Sequence, residues 1–341
     1  YYFILDEAQY IKNQSTKNAQ AVKLINGKYR FALTGTPIEN SLAELWSIFD
    51  FLMPQYLYNY HHFKETYEIP IIKNEDQEKQ AKLKRFVEPF ILRRTKKDVL
   101  TELPDKIENN VLIPFTPDEE KVYLANLSTI NTELQSAIQV NHIDKIQILA
   151  MMTRLRQLCC DQRILYNNVQ EPSSKLKACM DIIETAKENE QKILLFSSFT
   201  KSLDLIEAEL RKKDISYYVL TGATTKIKRH QLVNAFQNDK TTVFLISLKA
   251  GGTGLNLTSA STVIHFDPWW NMSAQNQATD RAYRIGQTNN VQVYKLIMKN
   301  SIEEKIQKLQ EQKQDLSNMF IENNHGSITQ MSTADIIDLF K

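Results

Sequence analysis

Between residues 192 and 266 four short apolar runs recur, Lys192–Phe196, Tyr217–Leu220, Val243–Ser247 and Thr262–Phe266, and helical patterns over Lys201–Lys213 and Lys226–Gln237 separate the first three. Runs this short and this apolar suit strands covered on both faces. Strands that alternate with helices are joined by right-handed crossovers and lie parallel in one sheet. The pattern therefore predicts an α/β fold whose ligands meet the edge where the strands' carboxyl ends open. It recurs at the start of the chain, where Tyr1–Leu5 runs into Asp6-Glu7-Ala8-Gln9 and Tyr29–Leu33 into Thr34-Gly35-Thr36-Pro37.

A chain of 341 residues is too long for one ordinary core, which predicts two or more domains. Five segments follow from the pattern: 1–53, 54–115, 116–172, 173–300 and 301–341. The first ends in a helix opened by Ser41 with Glu44 three residues on, a capping box, and its Leu42, Leu45, Trp46, Phe49 and Leu52 read as core. The second is helical and rich in tyrosine, carries the basic cluster Arg93-Arg94-Thr95-Lys96-Lys97, and closes on a strand at Val111–Phe115. Breaks at Pro104, Pro114 and Pro117 set off two or three helices up to Arg163, and after Pro172 a helix capped by Ser174 opens the α/β unit. The last segment begins with a second capping box, Ser301 and Glu304, followed by Leu309, Leu316 and Phe320 on one side.

A net charge of +2, from 42 basic and 40 acidic residues, does not mark a nucleic-acid binder, so any such surface must be local. Cys159, Cys160 and Cys179 lack metal-ligand spacing, which predicts a reducing, cytoplasmic setting without disulfides. No apolar run approaches the roughly 20 residues that span a bilayer. The chain opens at Tyr1 inside an apolar run, and the expectation is a piece of something longer.

Four features carry candidate chemistry. Two carboxylates delivered by a strand, Asp6 and Glu7, suit a divalent cation and an attacking water, although a strand can also end in two acids by chance. The loop Leu248–Asn256 holds three of the chain's eight glycines, which lets backbone amides approach a phosphate but also suits an ordinary turn. Two adjacent tryptophans, Trp269 and Trp270, follow a strand end and cannot easily both be buried, which makes one a candidate to meet a partner. In Gln277–Gln287, reading QATDRAYRIGQ, Arg281 and Arg284 stand three apart, on one side of a helical turn. Their planar forks match phosphate oxygens, and a salt-bridged surface helix is the plainer alternative.

Asp6–Gln9, LTGTPIEN at Leu33–Asn40, ILRRTK at Ile91–Lys96, Ile193–Thr200, Ser247–Asn271 and Gln277–Gln287 stand in the order of the motifs of the Swi/Snf-type ATPases, a branch of the second helicase superfamily. The resemblance covers essentially the whole chain and is nearest in wording to prokaryotic members. It implies RecA-like parallel-sheet lobes, the first partial and the second complete, with helical insertions and a carboxy-terminal helical extension. It implies ATP and Mg²⁺, with Asp6 holding the metal through water, Glu7 activating the attacking water, and Arg281 and Arg284 acting as fingers on the γ-phosphate. Gln277, Gly252 and Gly254 would line the nucleotide, while Ser198, Lys249, Thr253 and Trp270 would meet duplex DNA. The implied activity is ATP-driven translocation on double-stranded DNA without strand separation, by a monomer, with a DNA-bound protein complex as cargo and no membrane partner. A strand-separating helicase, or for this chain alone a non-hydrolysing DNA-binding module, is the competing expectation.

Three positions depart from the family pattern. No GxxxxGK[ST] phosphate loop occurs, since Gly27-Lys28 is followed by Tyr29. The family places that loop upstream, so the chain alone is expected to hydrolyse almost no ATP. Met272 stands where relatives usually carry Pro, and Ser261, read as a surface difference, where they often carry an acid.

Overall fold

The structure, a computed structural model, describes residues 1–35, 41–74, 76–94, 96–100, 102–139, 145–251 and 254–317. The described residues divide into two compact units, residues 1–100 with 311–317 and residues 101–310.

In the first unit β1 (Tyr2–Leu5) and β2 (Tyr29–Ala32) pair in parallel, Tyr2 opposite Tyr29 and Leu5 opposite Ala32. One face of this ribbon packs Phe3, Leu5 and Ala32 on Ile11, Ala19 and Phe51. On the other, Tyr2, Ile4, Tyr29 and Phe31 are exposed, with Tyr2 stacked 5.1 Å from Tyr29. The first run, expected to be a buried strand, is thus covered on one side only. The helix Leu42–Leu52 serves two cores, since Phe51 faces the ribbon while Leu42, Leu45, Trp46 and Phe49 meet Phe63, Tyr67, Ile71, Leu83 and Val87. Its expected capping box is not formed. Ser41 makes no side-chain cap, and the carboxylate of Glu44, 7 % exposed, pairs instead with Lys12 at 3.4 Å.

The second unit is built on six parallel strands, β3 (Lys106–Ile113), β4 (Ile193–Ser197), β5 (Tyr217–Leu220), β6 (Val243–Ser247), β7 (Thr262–His265) and β8 (Val291–Met298), in the order β3-β8-β7-β4-β6-β5. Strands β4, β6 and β7 are buried along their whole length, as their apolar runs require. Two strands differ from expectation. β3 begins at Lys106, ahead of the expected Val111, and β8 was not anticipated at all. Both interleave polar residues with apolar ones: Lys295 on β8 reaches across to the Glu108 carboxylate on β3 at 2.6 Å, and Lys106, two residues before Glu108 on its own strand, lies 2.6 Å from the same carboxylate.

Flanking helices Thr200–Lys212 and Lys226–Asn238 complete the crossovers, the latter capped by Thr225. The helix Ser174–Glu188 is capped not by Ser174 but by Ser173, whose hydroxyl accepts the Leu176 N–H at 3.1 Å. Helices Pro117–Gln139 and Lys145–Cys160 pack against each other. All three cysteines are free and buried. Among the described residues no helix is long and apolar enough to cross a membrane.

The last helix starts at Ile302. Its second expected capping box is displaced: Ser301 Oγ accepts the Glu303 N–H at 3.1 Å, and Glu304 reaches back to Asn300 N at 2.8 Å. Glu303 is fully buried against Lys175, whose Nζ sits 2.7 and 2.5 Å from its two oxygens, and the Ile302 N–H donates to the Tyr123 hydroxyl at 2.8 Å. These contacts fix the start of the helix to the second unit. Phe320 and the side chains of Leu309 and Leu316 lie outside the described residues.

β6 lies on one side of β4 and β7 on the other, so the chain reverses its direction across the sheet between them. The loops after these neighbouring strands open at the kind of crevice where open α/β sheets bind ligands.

Candidate functional site

At the end of β1 the chain turns sharply, and Glu7 adopts a left-handed backbone at φ 52°, ψ 51°. A side chain with a Cβ pays about 1–3 kcal/mol for that conformation, so the surrounding bonds must hold it. The Glu7 N–H donates to Asp6 Oδ1 at 2.9 Å, and the Ala8 N–H to the Leu33 carbonyl at 2.9 Å. The Glu7 carboxylate accepts from Gln9 Nε2 at 2.6 Å, and Gln9 Oε1 accepts from Thr34 Oγ1 at 2.8 Å. A relay from Thr34 through Gln9 thus aims Glu7, while Asp6 faces solvent. One exposed carboxylate at a strand end fits Mg²⁺, which keeps most of its waters and takes one or two carboxylates besides a substrate's phosphates. Thr36, Pro37, Ile38, Glu39 and Asn40 lie outside the described residues.

The arginine motif is arranged differently from the helical reading. Asn271 caps a helix over Met272–Thr279, accepting from Ser273 N at 2.9 Å and Ala274 N at 3.3 Å. Met272 is its first residue, where Pro is favoured but not required, so the departure leaves the cap intact. The helix ends at Thr279, and tight turns carry the chain through Arg281 and Arg284 to Gly286, at φ 98°. The two arginines therefore do not share a helical face. Arg281 is 9 % exposed, whereas Arg284 is exposed. Gln277 is half-buried on the preceding helix.

What fixes the turn is Gln287, buried at 6 %. Its Nε2 donates to the carbonyls of Thr258 at 3.1 Å, Ala260 at 2.8 Å and Ala282 at 3.2 Å, and its Oε1 accepts the N–H groups of Thr288 and Asn289. The Leu257 N–H donates to the Arg281 carbonyl at 3.0 Å, and Arg284 Nη1 to the Leu255 carbonyl at 3.4 Å. The arginine turn thus lies on the second half of the glycine loop. The role of Gln287 was not legible, because a glutamine closing a motif looks like any polar residue.

Within that loop the glycines have separate reasons. A Cβ on Gly251 would stand 2.8 Å from Phe196 Cε1, so that position is set by packing, and Gly254 takes a left-handed φ of 58°. Gly252 and Thr253 lie outside the described residues. Lys249 is exposed on the short turn Leu248–Gly251 that leaves β6. Ser261, read as a surface residue, is buried at 7 %, and its N–H donates to the Lys192 carbonyl at 3.2 Å.

Ser198 and Trp270 follow β4 and β7. The Ser198 N–H donates to Asp267 Oδ1 at 3.0 Å, and its Oγ accepts from Arg156 Nη2 at 3.3 Å. Trp269 packs on the core of the second unit, and Trp270 beside it is half-buried. Asp267 and Arg156 form a buried ion pair at 3.2 Å. Neither was singled out in the sequence. The available signal was Arg156 standing among Met152, Leu155, Cys159 and Cys160 in the apolar stripe of its helix.

The profile described as the SNF2-related domain matches residues 1–164, and that described as the Helicase conserved C-terminal domain matches residues 174–286. The SWI2/SNF2 ATPase core of Sulfolobus solfataricus, solved in complex with double-stranded DNA, is 38% identical, with a TM-score of 0.57, over 99% of this chain and 72% of that one. The chain belongs to the SNF2 family, and its α/β parallel-sheet lobes are of the RecA-like kind. An uncharacterized ATP-dependent helicase of Mycoplasma pneumoniae is 39% identical over 100% of this chain and 32% of its own length. YwqA of Bacillus subtilis, provisionally named an ATP-dependent helicase/translocase, is 38% identical over 98% of this chain and 37% of its own length. The chain thus spans about a third of the length of these curated relatives.

Proposed function

We propose that the chain is part of an ATP-dependent translocase that moves along double-stranded DNA and remodels protein–DNA complexes without separating the strands. The observation that carries this reading is where the described residues on either side of Gly252 and Thr253 lie. Leu248–Gly251 leaves β6, the neighbour of β4, after which Ser198 stands, and packs on the helix that follows Trp270, while Leu255–Ala260 lies under the turn bearing Arg281 and Arg284. A segment touching both places can pass a displacement by DNA on to groups that stabilise charge on ATP.

In this reading Asp6 holds Mg²⁺ through water, and Glu7, aimed by Gln9 and Thr34, polarises the attacking water. When bound, the metal supplies charge neutralisation at the phosphates. Arg284 has the exposure to reach a γ-phosphate, and Arg281, buried, holds the turn until a local rearrangement frees it. Gln277, Gly252 and Gly254 line the nucleotide, while Ser198, Lys249, Thr253 and Trp270 contact the duplex, mainly its phosphates. Segment 1–53 then closes a first lobe, 54–115 and 116–172 form insertion and protrusion, 173–300 is the second lobe, and 301–341 braces it. The working form is a cytoplasmic monomer, nucleoid-associated in a prokaryote, with a DNA-bound protein complex as cargo.

The relatives named as helicases support strand separation as the second reading. One experiment separates the two: the complete protein is given ATP with a duplex carrying a third, triplex-forming strand, and with a forked labelled duplex. Translocation displaces the third strand and leaves the fork paired. Unwinding of the fork at a comparable rate would favour the helicase. The 341-residue chain alone, which has no GxxxxGK[ST] cradle, should bind duplex weakly and with steep salt dependence, and turn over almost no ATP.

A further inference from the structure

On the helix Lys145–Cys160 the guanidinium of Arg156, 5 % exposed, occupies the gap between the loop after β4 and the loop after β7. Its Nη2 donates to Pro268 O at 2.8 Å, to Asp267 Oδ2 at 3.2 Å and to Ser198 Oγ at 3.3 Å. The same plane lies 5.1 Å from the Phe199 ring and 5.9 Å from that of Trp269. Asp267 completes the tie by accepting from Ser197 Oγ at 2.6 Å and from the Ser198 N–H. The main chain of Trp269 is pinned at both ends, its N–H on Gln275 Oε1 at 3.2 Å and its carbonyl on Gln310 Nε2.

We propose that Arg156 is a positioning residue of the DNA-binding surface: it clamps the Ser198 and Asp267–Trp270 loops to each other and so holds Trp270 in place for the duplex. The proposal rests on the reading of Ser198 and Trp270 as DNA contacts. Arg156 is too deeply buried to neutralise a phosphate, so it acts through the loops alone. Its ties to two segments far apart in sequence leave one end nitrogen of the guanidinium while the flat group lies against Phe199 and Trp269, and the compact ammonium of a lysine, which lacks that flat face, reproduces them only in part. Without it Asp267 is left as a buried charge lacking its partner, and the two loops no longer share an anchor. Preorganised loops bind more tightly because less freedom is lost when the ligand arrives.

The test uses the complete protein without ATP and a fluorescein-labelled duplex of random sequence, with anisotropy read over a series of salt concentrations beside a thermal melt. Arg156→Gln should weaken binding about tenfold, as should Trp270→Phe, and the double variant should be no more than about twofold weaker than the worse single. The salt slope of Arg156→Gln should match wild type, whereas loss of a phosphate contact lowers it by about one. Arg156→Lys should recover only part of the affinity. Full additivity, or a reduced slope, overturns the positioning role, as does wild-type binding by Arg156→Gln beside weakened Trp270→Phe. Wild-type binding by both Trp270→Phe and Ser198→Ala instead removes the underlying reading, and the proposal with it. If Arg156→Gln does not fold, Arg156→Lys and Asp267→Asn carry the same comparison, each alone and with Trp270→Phe, under the same criteria.

Discussion

At the end of β1, Asp6 and Glu7 stand at an open edge, aimed by one side-chain relay and a strained backbone, whereas the arginine turn is sunk against a loop and pinned through the five hydrogen bonds of Gln287. The first arrangement stores strain in a group that water can reach. The second spreads positioning over buried bonds. Substitution at the carboxylate edge should therefore change chemistry and leave stability alone, while substitution beneath the arginines should cost stability first.

The sharpest contrast comes from Glu7. Glu7→Gln in the complete protein should lower ATP turnover by about 10²–10⁴ if Glu7 handles the proton of the attacking water, with no change in melting temperature. Glu7→Gly should lower turnover likewise yet raise stability by up to about 1 kcal/mol, because glycine takes the left-handed backbone freely. A melt that falls with Glu7→Gln would break the contrast. On the other side, Gln287→Ala should destabilise the chain by about 2–3 kcal/mol in denaturant titration, since it strands buried carbonyls of the glycine loop.

The two arginines should separate next. Arg281→Ala removes a buried stem and should cost about 1–2 kcal/mol, while Arg284→Ala should stay within about 0.5 kcal/mol. Equal costs would restore the picture of two solvent-facing arginines.

A pH dependence should come from His265, whose Nε2 lies 2.9 Å from Thr279 Oγ1, ahead of the arginine turn. Burial, and then the Lys295 charge, push its imidazole down from 6.5 to about 3. A folded-state value below the unfolded one means that the native state holds the ring neutral. Its contribution is then complete above pH 6.5 and is lost as pH falls through that value toward about 3. Between pH about 7.5 and about 6 the loss should be about 1 kcal/mol, and His265→Asn should remove that slope.

Much of this was legible in the chain. The runs of β4, β6 and β7 announced a parallel sheet because strands covered on both faces leave an unbroken apolar record, and the half-buried edge strand β5 showed as a short apolar run beside them. β8 left none, since Gln292, Tyr294 and Lys295 answer to cross-strand and surface partners that only the fold supplies. Of the site, Asp6, Glu7 and the arginine motif could be named from residue type and order. The spacing of Arg281 and Arg284 misled because helical geometry was assumed past Thr279, where Gly286 and Gln287 bend the chain into a turn. The supports, Gln287, Arg156 and Asp267, were invisible for a common reason: each acts by bonding segments distant in sequence.

The central claim is that the turn lying on Leu255–Ala260 delivers Arg284 to ATP in response to DNA. It is tested most directly by steady-state ATP turnover of the complete protein, with and without duplex DNA, for wild type, Arg284→Ala and Arg284→Lys, beside a thermal melt. The account predicts that DNA-stimulated turnover falls by about 10³–10⁵ in Arg284→Ala, that Arg284→Lys recovers little of it for want of the planar fork, and that the melts coincide. An Arg284→Ala protein that keeps as much as about a tenth of normal stimulated turnover would contradict it, since a finger on the γ-phosphate is worth far more than that.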